Sequence, residues 1–199
     1  MREAAGAAPA RQIVGVLLAA GKGARFDPSG RQSKLLQRLP SGETVAVAAA
    51  RALQADVAHV VAVVKSDDAE LAAALRDQGC QVVVCVDAAR GMGKSLSHAL
   101  SQVPHADGWI VALADMPFVH PDTVGKLAQA LLDGADIAAP VHQGRRGNPV
   151  AFGTKHLPQL LTLDGDQGAR SLLTVHPITL IEVNDAGVLR DIDTPADLG

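Results

Sequence analysis

The residues best equipped for chemistry lie near the start of the chain, in Leu18-Ala19-Ala20-Gly21-Lys22-Gly23-Ala24-Arg25-Phe26, with Lys34 a short way on. The apolar run Ile13 to Leu18 reads as a buried strand that breaks into small residues, two glycines and scattered cations. Glycine lets a backbone approach a ligand closely and turn its N–H groups toward an anion. Arg25 offers a planar fork and Lys34 a point charge, and both suit phosphate oxygens. The stretch therefore predicts a loop that grips the phosphates of a nucleoside triphosphate. Two familiar phosphate loops are excluded: the glycines are too close for a P-loop and lack its Gly-Lys-Ser/Thr ending, and Phe26 stands where the dinucleotide fingerprint has its third glycine.

A triphosphate brings a divalent cation, and Mg²⁺ commonly takes one or two carboxylates along with substrate phosphates. In Ala114-Asp115-Met116-Pro117, Asp115 follows an apolar run, 109–114, that reads as a strand, so its carboxylate faces the crevice. Asp115 is the first candidate metal ligand; capping of the turn before Pro117 is the alternative. Asp191 and Asp193 bracket Ile192. With Ile192 in the core, alternation along an extended chain turns both acids the other way. Asp193 is the candidate second ligand and Asp191 its rival. Alternatively, Asp193 or Thr194 caps a last short helix at Pro195.

Gly91-Met92-Gly93-Lys94-Ser95 offers two close-approach glycines and a hydroxyl at a helix start. That suits a base or ribose, or only a capped helix. Arg145-Arg146-Gly147-Asn148-Pro149 is a dense cationic cluster, either a site for a second anionic substrate or a solvated loop. Gly165-Asp166-Gln167-Gly168-Ala169-Arg170 reads as an anion-accepting helix start or a turn. The 7 histidines, His98 on a predicted helix among them, show no HExxH spacing, and no GxSxG elbow occurs. Nothing pairs a nucleophile with a base.

These residues need a scaffold. Continuously apolar strands are expected at 13–18, 57–64, 81–86, 109–114, from 137, and at 178–183, with a short one at 188–192. Helices are expected at 43–55, 67–78, from 91 to 100, at 121–132, 155–163 and 169–175, and a hairpin or lobe at 141–152. Apolar strands alternating with helices predict an α/β fold with a mainly parallel sheet covered on both faces. Ligands of such sheets bind beyond the strands' carboxyl ends, where the motifs fall. The length of 199 residues suits one domain, 13–199, after a loose Ala-rich tail, 1–12. Aromatics are only 2%, so Val, Leu, Ile and Ala must build the core. A net charge of −3 argues against nucleic acid as a partner. The two cysteines, Cys80 and Cys85, fit no metal spacing and read as free thiols. No apolar run is long enough for a membrane span, and a cytoplasmic location is expected.

The ordered set of motifs, spanning 13–198, resembles the MobA-like nucleotidyltransferases, and within them the molybdenum cofactor cytidylyltransferase (MocA-like) branch. The resemblance implies a Rossmann-like three-layer α/β/α sandwich of the nucleotide-diphospho-sugar transferase type. It implies transfer of a nucleoside monophosphate from a triphosphate to a phosphorylated acceptor, with Mg²⁺ and release of pyrophosphate. Leu18, Ala19, Ala20, Gly21, Lys22, Gly23, Arg25 and Lys34 would hold the nucleotide, with Gly91, Gly93 and Ser95. Arg25, Lys34 and Asp115 would serve catalysis, Asp115 and Asp193 the metal, and Arg146, Gly147, Asn148 and Pro149 the acceptor. GTP-using relatives tend to carry Leu-Ala-Gly-Gly where this chain has Leu18-Ala19-Ala20-Gly21, so Ala20 implies CTP. The implied acceptor is molybdopterin, and an implied partner is a molybdoenzyme or its chaperone. The sequence departs from the family pattern in a longer Phe26–Lys34 segment, in Ser33 beside the lysine, and in Asn148, where many relatives have His. Rival expectations are another phosphorylated acceptor, a nicotinamide-dependent oxidoreductase, and a non-catalytic nucleotide-binding module.

Overall fold

A computed structural model describes residues 12–21, 23, 25–27 and 32–198. Lys22 and nearly all of the expected tail lie outside the described residues. The strands are β1 (Ile13–Leu18), β2 (Val60–Val64), β3 (Gln81–Val84), β4 (Gly108–Leu113), β5 (Ile137–His142), β6 (Arg145–Arg146), β7 (Val150–Gly153) and β8 (Thr179–Glu182). They form one eight-stranded sheet in the order β3-β2-β1-β4-β7-β5, with β6 and β8 also pairing β5. β1, β2, β3 and β4 pair in parallel. β7 runs antiparallel to both neighbours, and β5 pairs in parallel with β8.

The helices are α1 (Val45–Gln54), α2 (Ala69–Asp77), α3 (Met92–Ser101), α4 (Pro121–Leu132), α5 (Leu157–Leu161) and α6 (Arg170–Val175). Side chains alternate across a strand, so each buried strand feeds two cores. Ile13, Leu17, Val60, Ala62 and Ile110 face α1, α2 and α4, where Leu53, Leu71 and Leu127 pack. Val14, Val16, Val61, Val63 and Trp109 face α3, α5 and α6, where Leu100, Leu160 and Leu172 pack. The result is the expected three-layer sandwich. Trp109 is fully buried, and its indole N–H donates to the Val103 carbonyl at 3.0 Å.

Two local expectations change. The strand expected at 81–86 ends at Val84, and the chain turns after Cys85, whose carbonyl accepts from Ala88 N at 3.2 Å. The segment expected as a strand at 188–192 holds instead a 3-10 turn, Ala186–Leu189, bound by Asp185. Asp185 is 3% exposed and accepts from His120 N, the Thr123 hydroxyl and Gly187 N at 2.7–2.9 Å. A buried carboxylate is tolerated when its oxygens are satisfied in this way. The turn it holds presents the Val188 carbonyl to Asn148 N at 2.9 Å. Asp185→Ala leaves three donors without that partner and should cost about 3 kcal/mol of stability, read by urea unfolding.

Candidate active site

β1 and β4 end side by side, Leu18 opposite Leu113, so the loops that follow share one edge of the sheet. Ala114 N donates to the Leu18 carbonyl at 3.0 Å, which fixes Asp115 beside the small-residue loop. The C-terminal segment joins by another backbone bond, Ile192 N to the Asp115 carbonyl at 2.8 Å. Ile192 is wholly buried, but its neighbours do not both turn the same way, as alternation predicts they would: Asp193 turns toward Lys34 while Asp191 is exposed.

These three segments converge on one ammonium. Lys34 Nζ lies 2.6 Å from Asp115 Oδ2, 2.9 Å from the Ile192 carbonyl and 3.5 Å from Asp193 Oδ1. Arg25 approaches the other Asp193 oxygen at 2.5 Å. The lysine side chain is 12% exposed and the arginine 80%, so Lys34 is set in the wall and Arg25 stands over solvent. Leu35, buried next to it, anchors the short 3-10 turn that carries Lys34. The lysine stem passes Gly23, whose φ of +60° suits glycine; a Cβ there would sit 3.7 Å from Lys34 Cγ.

Asp193 is held from behind. Asp197 Oδ2 accepts from Asp193 N at 3.1 Å, Thr194 N at 2.7 Å and the Thr194 hydroxyl at 2.8 Å. Those bonds, the Thr194 hydroxyl foremost, hold the Asp197 carboxyl below its ordinary value. This clamp was missed from sequence, although Thr194-Pro195-Ala196-Asp197 has the spacing of a capping box. The Ile192 carbonyl was missed too, since backbone groups leave no residue-type signal.

A crevice of roughly 370 Å³ opens from this cluster, lined by Leu18, Ala20, Gly21, Lys34, Leu35, Ala88, Gly91, Met92, Ser95, Leu113, Asp115 and Asp166. Of the sequence candidates, Gly91 and Ser95 are on its wall and Gly93 is not. Gly93 N donates to the Gly165 carbonyl at 2.8 Å, and its Cα faces Asp164. A Cβ on Gly91, whose φ is +120°, would collide with the Gly165 backbone. The glycine pair thus seats the 164–168 loop, which an Arg90–Asp164 ion pair also holds. An adjoining apolar chamber of roughly 110 Å³ shares Leu18, Met92 and Leu113 and adds Asn148, Gln167 and Arg170. Of the proposed acceptor residues, Asn148 lines that chamber, Pro149 lies behind it near Met116, Arg146 is exposed on β6, and Gly147 packs on the Val188 carbonyl. Both cysteines are buried free thiols, neither lines the crevice, and burial pushes Cys80 up to about 11.

Two carboxylates and a carbonyl around one point form an all-oxygen set, the chemistry a hard cation such as Mg²⁺ or Mn²⁺ selects. Among the described residues no cluster of three or more His, Cys, Asp or Glu converges. A metal here would complete its shell with phosphate oxygens and water, as Mg²⁺ commonly does.

Cations and a glycine loop for a polyphosphate, with hard oxygens beside them, are the parts that phosphoryl and nucleotidyl transfer require, and this edge of the sheet belongs to that class of site. The chain is a member of the MobA-like NTP transferase domain family, which it matches over residues 15–180. It is 30% identical over 197 residues to the purine catabolism protein PucB of Bacillus subtilis (strain 168), covering 93% of each chain. It is 31% identical over 194 residues to the nicotine blue oxidoreductase of Paenarthrobacter nicotinovorans, covering 92% of each. Among solved structures it resembles Rv0371c from Mycobacterium tuberculosis H37Rv, with a TM-score of 0.81, 29% identity, and 94% and 95% of the two chains covered. That protein has also been crystallised with manganese, and the complex matches with a TM-score of 0.77. No helix among the described residues is long and apolar enough to cross a membrane.

Asp197→Ala should free the Asp193 backbone and weaken Mn²⁺ binding in the presence of triphosphate about 10-fold, measured by EPR, with little change in melting temperature. The same clamp is pH-dependent. Because the folded carboxyl sits below its ordinary value, the clamp is intact above about pH 4 and fades as pH falls through that lowered value.

Proposed function

We propose that the protein transfers CMP from CTP to molybdopterin, in the presence of Mg²⁺, and releases pyrophosphate. The observation that carries the reading is the meeting of Asp115 and Asp193 around Lys34, beside the glycine loop and over an open crevice. Distant parts of the sequence supply a cation, two acids and a phosphate loop to one place, and nucleotide transfer uses all of them.

An acceptor phosphate oxygen attacks the α-phosphorus. A new O–P bond forms, the bond from the α-phosphorus to the bridging oxygen of the β-phosphate breaks, and pyrophosphate leaves with the electron pair. The nucleophile is already an anion, so no strong general base is needed. The chain's own work is alignment and charge neutralisation. Gly21 and Gly23 would let the loop backbone approach the triphosphate, and Arg25 stands over solvent where it can fold onto the phosphates. Bound Mg²⁺, held by Asp115 and Asp193, would neutralise charge on the phosphate oxygens. Gly91 and Ser95 line the end suited to ribose and base, and the chamber beside Asn148 suits the acceptor. Ala20, standing where GTP-using relatives tend to carry glycine, supports CTP. The manganese complex of Rv0371c supports a divalent ion. A molybdoenzyme or its chaperone fits as recipient of the product.

A second reading is favoured by one observation, the likeness to nicotine blue oxidoreductase. It predicts hydride transfer from a nicotinamide cofactor and no pyrophosphate. The deciding experiment incubates the protein with each of the four ribonucleoside triphosphates, Mg²⁺ and molybdenum cofactor, and reads pyrophosphate. CTP should give the fastest release. Asp115→Ala should reduce turnover by about 10³-fold while the circular dichroism spectrum is unchanged. Normal turnover by that variant, or NADPH oxidation without pyrophosphate, overturns the assignment.

A further inference from the structure

Lys34 occupies the point where one oxygen of Asp115, one of Asp193 and the Ile192 carbonyl converge, the point a metal held jointly by the two acids would take. Its ammonium has three donors, and the three acceptors around it are Asp115 Oδ2, the Ile192 carbonyl and Asp193 Oδ1. A divalent ion binds such oxygens at about 2.0–2.1 Å, and an ammonium cannot share that point with it. We infer that Lys34 is a built-in stand-in for the metal: it neutralises the two acids in the nucleotide-free protein, and on metal entry its ammonium swings to the phosphate side of the crevice. This rests on the transferase reading for the metal site.

The local structure permits the swing and gives it a direction. The backbone of Lys34 is held by the 3-10 turn and by buried Leu35, so the movement belongs to the flexible four-carbon stem. That stem runs beside Gly23 of the phosphate loop, and Lys34 shares the crevice wall with Gly21 and Asp115. Nζ released from the carboxylates therefore emerges on the loop side, where the phosphates lie. Arg25, on the outer oxygen of Asp193, is exposed and free to move with it. Metal and triphosphate then reinforce each other: the metal frees a cation for the phosphates, and the phosphates hold that cation away from the metal's oxygens. Linkage makes the effect reciprocal.

The test reads the lysine, not turnover. The nucleotide-free protein is labelled with an amine-acylating reagent, with and without saturating Mn²⁺, and Lys34 is compared by mass spectrometry with exposed Lys126 on α4. Binding of Mn²⁺ is followed by EPR in the wild type and in Lys34→Met. Mn²⁺ should raise labelling of Lys34 several-fold and leave Lys126 unchanged. Binding of Mn²⁺ by Lys34→Met but not by the wild type also supports the inference, because the ammonium then holds the seat outright. Mn²⁺ bound to the wild type with Lys34 still shielded overturns it, as does failure of both proteins to bind. Pyrophosphate release is scored separately. Its absence with every acceptor, alongside an unshielded Lys34, sinks the transferase reading and leaves this one standing; its presence, with Lys34 still shielded, does the reverse.

Discussion

Asp115 and Asp193 press against the same nitrogen, and without it the C-terminal segment would have little electrostatic reason to stay where it is. Two unit charges about 5 Å apart repel by about 3 kcal/mol at an effective dielectric of ~20. Lys34 turns that repulsion into a three-way contact between the end of β4, the C-terminal segment and the stretch after the glycine loop. The Ile192 carbonyl serves the same nitrogen, and the adjoining backbone bond from Ile192 to Asp115 keeps the carboxylates in register. Charges needed for chemistry are thereby made part of the fold.

The rest of the structure can be understood as support for that cluster. Parallel pairing of β1 with β4, Ile13 opposite Gly108 through Leu18 opposite Leu113, sets two strand ends at one height. β7 reverses direction beside β4, which places its N-terminal end, and the Gly147-Asn148-Pro149 segment before it, at the same edge. The buried Asp185 secures the turn whose Val188 carbonyl holds Asn148. A carboxylate outside the crevice thus shapes the wall of the second chamber through two backbone steps.

The sequence revealed most clearly what depends on local pattern. Val14, Val16 and Leu17 announce a strand buried on both faces, and the small residues after it announce a loop open to a ligand. Asp115 was legible because a carboxylate just past a buried run has few other places to go. Ile192 between two acids gave the alternation, but only the fold shows that Asp193, not Asp191, turns toward Lys34. The turn at Ala186–Leu189 was illegible for a physical reason: Asp185, which binds it locally through Gly187 N, is itself held by His120 and Thr123, and Gly187 packs close to the Phe118 carbonyl, all of them contacts distant in sequence. Gly91 and Gly93 carried a true signal of close approach, but a glycine cannot say what approaches it. Their near neighbours prove to be Asp164, Gly165 and Asp166.

That last point changes how the crevice must work. The loop at 164–168 is seated on the start of α3 by Gly91 and Gly93 and latched by Arg90, so this wall of the crevice is assembled from two segments. Its rigidity is inherited from α3, whose buried face of Leu96, Ala99 and Leu100 locks it to the sheet. The end of the crevice at Lys34 is different in kind. There the elements are joined through ion pairs around the Lys34 ammonium. A crevice with one wall fixed by packing and the other by exchangeable charge can hold a nucleoside in constant geometry while its phosphates and their counterions rearrange, which is the division of labour that in-line transfer at phosphorus demands.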